Sequence, residues 1–169
     1  MKKLLFIGLA MVLLLSTVTT AGADSTKIMK FDTMIGVPRP YTGTTNAIRG
    51  VPGGGLPWVV AFADGNLKAS GKLEIAVQGL VIDPNDPAAI AAGRGGTNPS
   101  ASFRAIVSCL SKDAAGAPTT VNVLSGPFPA DAAGNSTIET RVTLPQPCIA
   151  PIIFVTNATG TSWFAATGF

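Results

Sequence analysis

The sequence contains no histidine and no Gly-x-Ser-x-Gly motif, and charged residues make up only 12% of its 169 positions. Without histidine, the chain lacks the usual general base, the imidazole of a catalytic triad and the commonest metal ligand. Without the motif, it lacks the nucleophile elbow that many serine hydrolases use. We therefore expect a non-enzymatic protein with no resident cofactor and no metal site built on histidine.

A strong excess of one charge sign is also missing. Twelve lysines and arginines stand against nine aspartates and glutamates, and two of the lysines, Lys2 and Lys3, lie at the start of the chain. A nucleic-acid partner normally requires a clustered basic face. The sparse and mixed charges along the sequence therefore predict no nucleic-acid partner.

The longest apolar run follows Lys2 and Lys3 and extends from Leu4 to Leu15, and a small-residue Ala-Gly-Ala stretch ends at residue 23. This layout is typical of a cleaved secretory signal peptide. The run is shorter than the roughly 20 apolar residues that span a bilayer. We expect a signal peptide over residues 1–23 and one all-β domain over residues 24–169, with no transmembrane helix. The mature protein is then secreted, periplasmic or at the cell surface.

The chain has two cysteines, Cys109 and Cys148. An even count in an exported protein indicates a disulfide, because the compartment is oxidising. We predict that these two residues are bonded.

Apolar and polar residues alternate with a period of two in segments such as KLEIAVQGL and STIETRVTL, which indicates half-buried strands. PIIFVT is apolar on both faces, as in a central strand. Eight or nine strands are predicted, near residues 29–37, 46–51, 57–69, 72–82, 102–111, 119–128, 136–144, 149–157 and 161–168. Short strands at this spacing favour a single-domain β-sandwich or, alternatively, a closed β-barrel.

The turn residues add detail to this architecture. Ser70-Gly71 and residues 131–135 are predicted to close hairpins, since glycine tolerates the positive φ of such turns. A change of apolar phase predicts a β-bulge near Asp64-Gly65. Residues 83–101, rich in proline, glycine and asparagine, predict a surface loop with one helical turn from Pro87 to Ala92.

Three glycines, Gly53, Gly54 and Gly55, precede the apolar run that begins at Trp58. A phosphate-binding loop requires Gly-x-x-x-x-Gly-Lys followed by serine or threonine and a helix. Here Leu56 and Pro57 follow the glycines, and a strand comes next. The run is interpreted as a hinge into that strand.

Three sets of residues are candidate functional groups. Asp83, Asn85 and Asp86 offer the oxygen ligands that calcium prefers, although the same residue types also build ordinary turns. Trp58, Trp163 and Tyr41 are candidates for a ligand-facing aromatic platform, with burial in the core as the alternative. Glu74 and Glu139 are the strand carboxylates that a hydrolase would use as a pair.

The segments IRGVPGGGLPWVV, FRAIVSCLS, LPQPCIAPIIFVTN and WFAATGF resemble those of a group of small exported bacterial proteins of unknown function. This resemblance extends from about residue 48 onward and implies no activity. In the N-terminal half, FDTMIGVPRPYTG followed by GKLEIAVQGL is similar in layout to the start of a CHRD domain. The chain lacks the histidine-containing segment and the GEIRG-type ending of that family. The resemblance implies a secreted β-sandwich.

These features lead to three functional hypotheses. The first is an exported, non-enzymatic β-sandwich with a structural, adhesive or binding role, whose partner is a cell-envelope glycan or protein. The second is a small outer-membrane β-barrel, which the length and the C-terminal Phe169 would allow. The third is a carboxylate-dependent hydrolase using Glu74 or Glu139.

Overall fold

The computed structural model describes residues 26–168, so the predicted signal peptide lies outside the described part. Twelve strands and one short helix are found there. In chain order they are β1 (Lys27–Phe31), β2 (Met34–Gly36), β3 (Trp58–Val59), β4 (Phe62–Lys68), β5 (Lys72–Gln78), β6 (Val81–Ile82), α1 (Pro87–Ala91), β7 (Ser102–Lys112), β8 (Pro118–Leu124), β9 (Phe128–Pro129), β10 (Ser136–Arg141), β11 (Ile149–Thr156) and β12 (Trp163–Thr167).

Two antiparallel sheets form the body of the protein. One has the strand order β1-β4-β5-β10, and the other has the order β2-β12-β11-β7-β8, with β9 also paired to β7. Strands β3 and β6 form a separate two-stranded sheet. Among residues 26–168, each large sheet ends in strands that pair on one side only. The predicted sandwich is therefore confirmed, and the alternative of a single sheet closed on itself is wrong.

The four-stranded sheet has one apolar face and one polar face. Leu67, Leu73, Ile75 and Ile138 point into the core and are at most 2% exposed. The residues that alternate with these on β4, β5 and β10 are half-buried or exposed, and they are polar apart from Phe62 and Ala76. This alternation is the expected result of placing one face of a pleated strand against a second sheet.

The six-stranded sheet is buried on both faces at its centre. In β11, the residues Ile153, Phe154 and Val155 are completely buried although they point alternately to opposite faces. Strand β11 lies between β12 and β7. The prediction that PIIFVT forms a central strand is confirmed.

A segment around Arg49 lies against the outer face of the six-stranded sheet. Ile48 and Val51 bridge to each other across a tight turn. Arg49 donates from Nη1 to the carbonyl oxygen of Ser108 at 2.7 Å and accepts on its own carbonyl from Asn122 Nδ2 at 3.0 Å. The predicted strand at 46–51 is therefore wrong, because these residues form a covering turn with one isolated bridge.

Four of the other predicted strands are each divided into two. Residues 29–37, 57–69, 72–82 and 119–128 each contribute to two strands that belong to different sheets or pair with different parts of a neighbour. The strand count rises from the predicted eight or nine to twelve for this reason. Two apolar alternating stretches that follow each other closely can belong to one long strand with a bulge or to two short strands in different sheets, and the sequence pattern does not distinguish these.

The predicted bulge at Asp64-Gly65 is wrong. Strand β4 pairs with β5 without a shift of register, from Phe62 opposite Gln78 to Leu67 opposite Leu73. The phase change arises earlier, at residues 60–61, where β3 ends and the chain enters another sheet. The register shift of this sheet lies instead in β1, between Lys27 and Met29.

The predicted hairpin at Ser70-Gly71 is confirmed, whereas the one predicted at residues 131–135 is wrong, because the two strands that this turn joins do not pair with each other. At the first, Gly71 donates its N–H to the carbonyl oxygen of Lys68, which closes the β4–β5 hairpin. At the second, Asp131 donates to the carbonyl of Asn135 and accepts from Gly134. This turn joins β9, which pairs with β7, to β10, which pairs with β5. It is therefore a corner between the sheets.

The long loop and its helical turn are also found as predicted. Helix α1 begins after the N-cap residue Asp86 and ends at the C-cap residue Ala92. No helix within residues 26–168 has the length and apolar character needed to cross a membrane.

The predicted disulfide is confirmed. Cys109, in the middle of β7, is bonded to Cys148, just before β11, and the two Cα atoms are 4.9 Å apart. The bond joins neighbouring strands of the six-stranded sheet, next to the register shift between Ile149 and Ile152.

Candidate functional site

A wide groove of about 590 Å³ lies between β2, β3 and the loop that leads into α1. Volumes of 300–1,000 Å³ are usual for ligand sites. One part of its lining is apolar and the other is polar, with residues drawn from three segments of the chain. They are Met34, Ile35, Gly36, Pro38, Arg39, Pro57, Trp58, Val59, Val60, Asp83, Asn85, Asp86 and Pro87. We call this the Arg39 groove.

Backbone hydrogen bonds bring these three segments together. The N–H of Trp58 donates to the carbonyl oxygen of Val37 at 2.9 Å, which places β3 beside the end of β2. Strand β3 pairs with β6, with Trp58 opposite Ile82. The next residue, Asp83, donates its N–H to the carbonyl of Pro57 at 2.9 Å. The loop after β6 is thereby held against β3.

An ion pair fixes the polar side of the groove. Arg39 donates from Nε to Oδ2 of Asp86 at 3.0 Å and from Nη2 to Oδ1 at 3.2 Å. Such a two-point contact is stronger and better oriented than a single hydrogen bond. The Asp86 side chain is 6% exposed, whereas that of Arg39 is 55% exposed. Arg39 therefore presents the remaining donors of its guanidinium to solvent while its orientation is held from one side.

Asp86 has further partners within α1. Its Oδ1 accepts from the backbone N–H groups of Ala88 and Ala89 at 3.1 and 3.0 Å, so it is the N-cap of the helix. The hydrogen bond from Arg39, aided by these amides, lowers the pKa of Asp86 below its ordinary value although burial opposes this. The same contact raises the pKa of Arg39. Both groups are charged at neutral pH.

The three residues considered for calcium form a turn. Oδ1 of Asp83 accepts from the backbone N–H of Asn85 at 2.8 Å, and both oxygens of Asp86 are already hydrogen-bonded. Residues 26–168 contain no group of three or more His, Cys, Asp or Glu side chains placed to hold a metal ion. The arrangement fits the turn and helix-cap alternative, and calcium binding by Asp83, Asn85 and Asp86 stays a prediction.

The three candidate aromatic residues do not form one exposed platform. Trp163 is 1% exposed, and Trp58 is 4% exposed and stacks on Phe164 with 3.7 Å between ring centroids. Tyr41 is 38% exposed. Both tryptophans thus belong to the core, and Trp58 contributes to the Arg39 groove only as part of its floor.

The glycine run leads into β3 as predicted and also packs closely against its neighbours. A Cβ atom on Gly53 would lie 2.1 Å from the carbonyl oxygen of Tyr41, and one on Gly54 would lie 2.9 Å from Nε1 of Trp58. Gly53 also forms a parallel bridge with Trp163. These glycines are needed because backbone and rings approach them, so they support the floor of the Arg39 groove from behind.

No sequence pattern singles out two residues of the Arg39 groove, Ile35 and Arg39. Ile35 is 46% exposed, and Val59 on the facing strand is 37% exposed. Arg39 and its partner Asp86 are separated by 47 residues. The one available signal was local: Arg39 stands between two prolines, Pro38 and Pro40, in a segment with restricted backbone freedom.

The predicted carboxylate pair lies elsewhere, on the outer face of the four-stranded sheet. Glu74 and Glu139 are direct cross-strand neighbours. They border a shallow depression of about 330 Å³ that also includes Asp64, Asn66 and Thr137. Glu74 contacts Lys72 at 2.5 Å and accepts from Asn66 at 2.8 Å. These hydrogen bonds lower the pKa of Glu74, so it is a carboxylate rather than a proton donor at neutral pH.

No protein-family model, curated protein or solved structure matches this chain. The fold itself therefore defines the class of protein. The chain is an all-β sandwich of two antiparallel sheets with one internal disulfide and an open groove at the edge strand β2.

Proposed function

We propose that this protein is an exported, non-enzymatic binding module that uses the Arg39 groove to hold a cell-envelope glycan or protein. The observation that carries the proposal is the groove itself, where exposed Ile35 and Val59 stand beside the oriented guanidinium of Arg39. An apolar surface with a few fixed polar groups is the usual composition of a binding site.

The charge and geometry of the groove favour binding over catalysis. Its carboxylate Asp86 is occupied by Arg39 and by two backbone amides. Asp83 is engaged in a turn. With no histidine in the chain, the groove offers hydrogen-bond donors and apolar contact but no side chain suited to exchange protons near neutral pH.

Export is supported by the disulfide, which persists in an oxidising compartment. It is also supported by the signal-like sequence of residues 1–23. Secretion, the periplasm and the cell surface are all consistent with these two features. The resemblance to small exported proteins and to the layout of a CHRD domain points in the same direction.

The hydrolase alternative has one specific observation in its favour, the direct opposition of Glu74 and Glu139. Against it, Glu74 has a lowered pKa, whereas the acid of a glycoside hydrolase needs a raised one. The face is also shallow and open to water. We therefore place binding ahead of hydrolysis.

The binding proposal is tested by a pull-down of the mature protein against envelope and secreted material of its own culture, using wild type and the variant Ile35→Gln. Loss of the apolar contact at Ile35 should weaken capture of a specific ligand about tenfold or more, since burial of such a side chain contributes about 1.5–3 kcal/mol.

The matched control is Ile90→Gln, because Ile90 is 61% exposed on α1 and lies outside the groove. This control should capture the same ligand as wild type. Equal capture by all three proteins, or equal loss in both variants, would show that the groove is not the binding site.

A further inference from the structure

Strand pairing assembles a row of four cations across the four-stranded sheet. Lys27 of β1 lies opposite Lys68 of β4, and Lys72 of β5 lies opposite Arg141 of β10. Lys68 and Lys72 flank the β4–β5 hairpin, one step beyond the pair formed by Leu67 and Leu73. Each strand thus contributes one positive side chain at the same end of the sheet. We call these four residues the basic row.

The basic row lies on the outer face of the sandwich. Lys68 and Lys72 alternate with the buried Leu67 and Leu73, so they point away from the core. Arg141 is exposed and follows the same alternation in β10, and Lys27 is exposed at the start of β1. With neighbouring strands about 4.8 Å apart, the row spans about 14 Å across the sheet.

Few negative charges balance this row. Lys30 stands in the adjacent row of the same sheet, opposite Asn66. Half of the ten lysines and arginines in residues 26–168 lie on this face, against the three carboxylates of Asp64, Glu74 and Glu139. Lys72 contacts Glu74, while no ion pair is found for Lys30 or Lys68 within the described residues. Arg141 donates from Nη1 to the carbonyl oxygen of Ser70 at 2.9 Å. Like charges at directly opposed positions destabilise a sheet, so the opposition of Lys27 and Lys68 works against folding.

The groups beside the basic row narrow the choice of ligand. Glu74 and Glu139 form the next row on the same face, and they border the depression that also contains Asn66 and Thr137. Carboxylates repel a second line of anions, but they accept hydrogen bonds from hydroxyl groups. A broad anionic surface such as a membrane, or a nucleic acid with two lines of phosphates, would meet these carboxylates.

We propose that the outer face of the four-stranded sheet binds a linear anionic polysaccharide. Its acidic groups lie along Lys27, Lys68, Lys72 and Arg141, and its hydroxyl groups contact the depression bordered by Glu74 and Glu139. This surface is built from different elements than the Arg39 groove, and the proposal does not depend on ligand binding there.

The probe for this proposal is polygalacturonate, a linear polymer with one carboxylate on each sugar, and the control polymer is its fully methyl-esterified form. Wild-type protein should bind the charged polymer at low salt in isothermal titration and should bind the ester far more weakly. Binding should also weaken as sodium chloride is raised, because salt screens exposed charges.

Two double variants are compared, and each of them lacks two positive charges. Lys27→Gln with Lys68→Gln should weaken binding about tenfold, because two exposed charge contacts with the polymer are lost. Arg94→Gln with Lys112→Gln removes two exposed cations outside the four-stranded sheet and should bind within about twofold of wild type. Equal affinity of the two double variants would overturn the proposal, as would absence of binding by wild type.

A third variant separates a sugar polymer from other polyanions. Ala76 lies between Asp64 and Thr137 in register, at the base of the depression. Ala76→Tyr fills it and should weaken binding of polygalacturonate. Wild type should bind duplex DNA and vesicles of anionic phospholipid more weakly than this polymer. Equal or tighter binding to either would show that the polysaccharide assignment is wrong, whatever the outcome at Ile35.

Discussion

At the scale of single residues, Asp86 shows how one side chain can organise a site. The same carboxylate caps α1 and binds Arg39, so the helix turn and the groove wall are fixed to each other. A residue in this position has no oxygen left without a hydrogen bond. The choice between turn and cation ligand, which the sequence leaves open, depends on a contact with a residue far away in the chain.

Gly134 offers a test of backbone strain at a single position. It has a φ of +78°, and a Cβ atom there would lie 2.1 Å from the carbonyl oxygen of Leu80. Leu80 also donates its N–H to the carbonyl of Gly134. We expect Gly134→Ala to lower the free energy of unfolding by about 3 kcal/mol, because both the conformation and the contact are lost to an L side chain. Urea denaturation measures this.

The control is Gly126→Ala, where nothing lies within 4 Å of the added Cβ and φ is not positive. This variant should be neutral or slightly more stable, because alanine restricts the unfolded chain. A loss at Gly126 as large as that at Gly134 would mean that the corner between the sheets is not held as described.

At the scale of elements, β7 is the strand that pairs with the most neighbours in the six-stranded sheet. It pairs with β8, β9 and β11, and it holds Cys109. The segment around Arg49 also rests on it. Changes that loosen β7 are therefore expected to affect the whole six-stranded sheet.

The disulfide between Cys109 in β7 and Cys148 just before β11 is a covalent link between neighbouring strands that substitution can remove. Cys109→Ala with Cys148→Ala opens a loop closed over 39 residues, and the chain-entropy relation assigns such a loop at most about 4 kcal/mol. We expect the double variant to fold with a free energy of unfolding lower by up to that amount, as measured in urea.

Reduction provides the control for this experiment. A reducing agent should bring wild type to the stability of the double variant and leave the double variant unchanged. If the double variant were as stable as the oxidised wild type, the crosslink would contribute nothing to the fold.

At the scale of the whole molecule, the distribution of charge distinguishes the parts of the surface. The chain is nearly balanced in sequence, yet its cations concentrate on the four-stranded sheet. The exposed apolar residues Ile35 and Val59 lie together at the Arg39 groove. Two surfaces of different chemistry thus lie on one sandwich.

The pH dependence of stability follows from the titrating groups of the whole chain. Hydrogen bonds lower the pKa of Asp86, Asp131 and Glu74 below the ordinary values of 3.8 and 4.5. A carboxyl with a lowered pKa in the folded state stabilises the fold above its unfolded pKa, and this contribution is lost as pH falls through the folded pKa. Because no histidine is present, we expect constant stability between about pH 5.5 and 7, and a decline below about pH 4.

Urea denaturation at a series of pH values checks this expectation. Asp131→Asn removes one contributing group and should flatten the decline below pH 4, while the plateau keeps its shape. A steep loss of stability between pH 7 and pH 5.5 would contradict the assignment.

Much of the fold could be predicted from local pattern. Alternation in KLEIAVQGL and STIETRVTL gave the strands β5 and β10 and their buried faces, and the cysteine count gave the disulfide. The strand divisions at residues 60–61 and 79–80 could not be predicted, because a change of apolar phase also fits a bulge within one strand. The turn at Ile48–Val51 was read as a strand because a covering segment is as apolar as a strand.

The sequence by itself determined the all-β class, the disulfide and the lack of proton-exchanging histidine, because each depends on residue types and their near neighbours. Only the tertiary structure decided that Arg39 meets Asp86 and that Lys27, Lys68, Lys72 and Arg141 form one row. These contacts depend on strand register and on chain crossings between the sheets. Residues far apart in sequence become neighbours only when those are fixed.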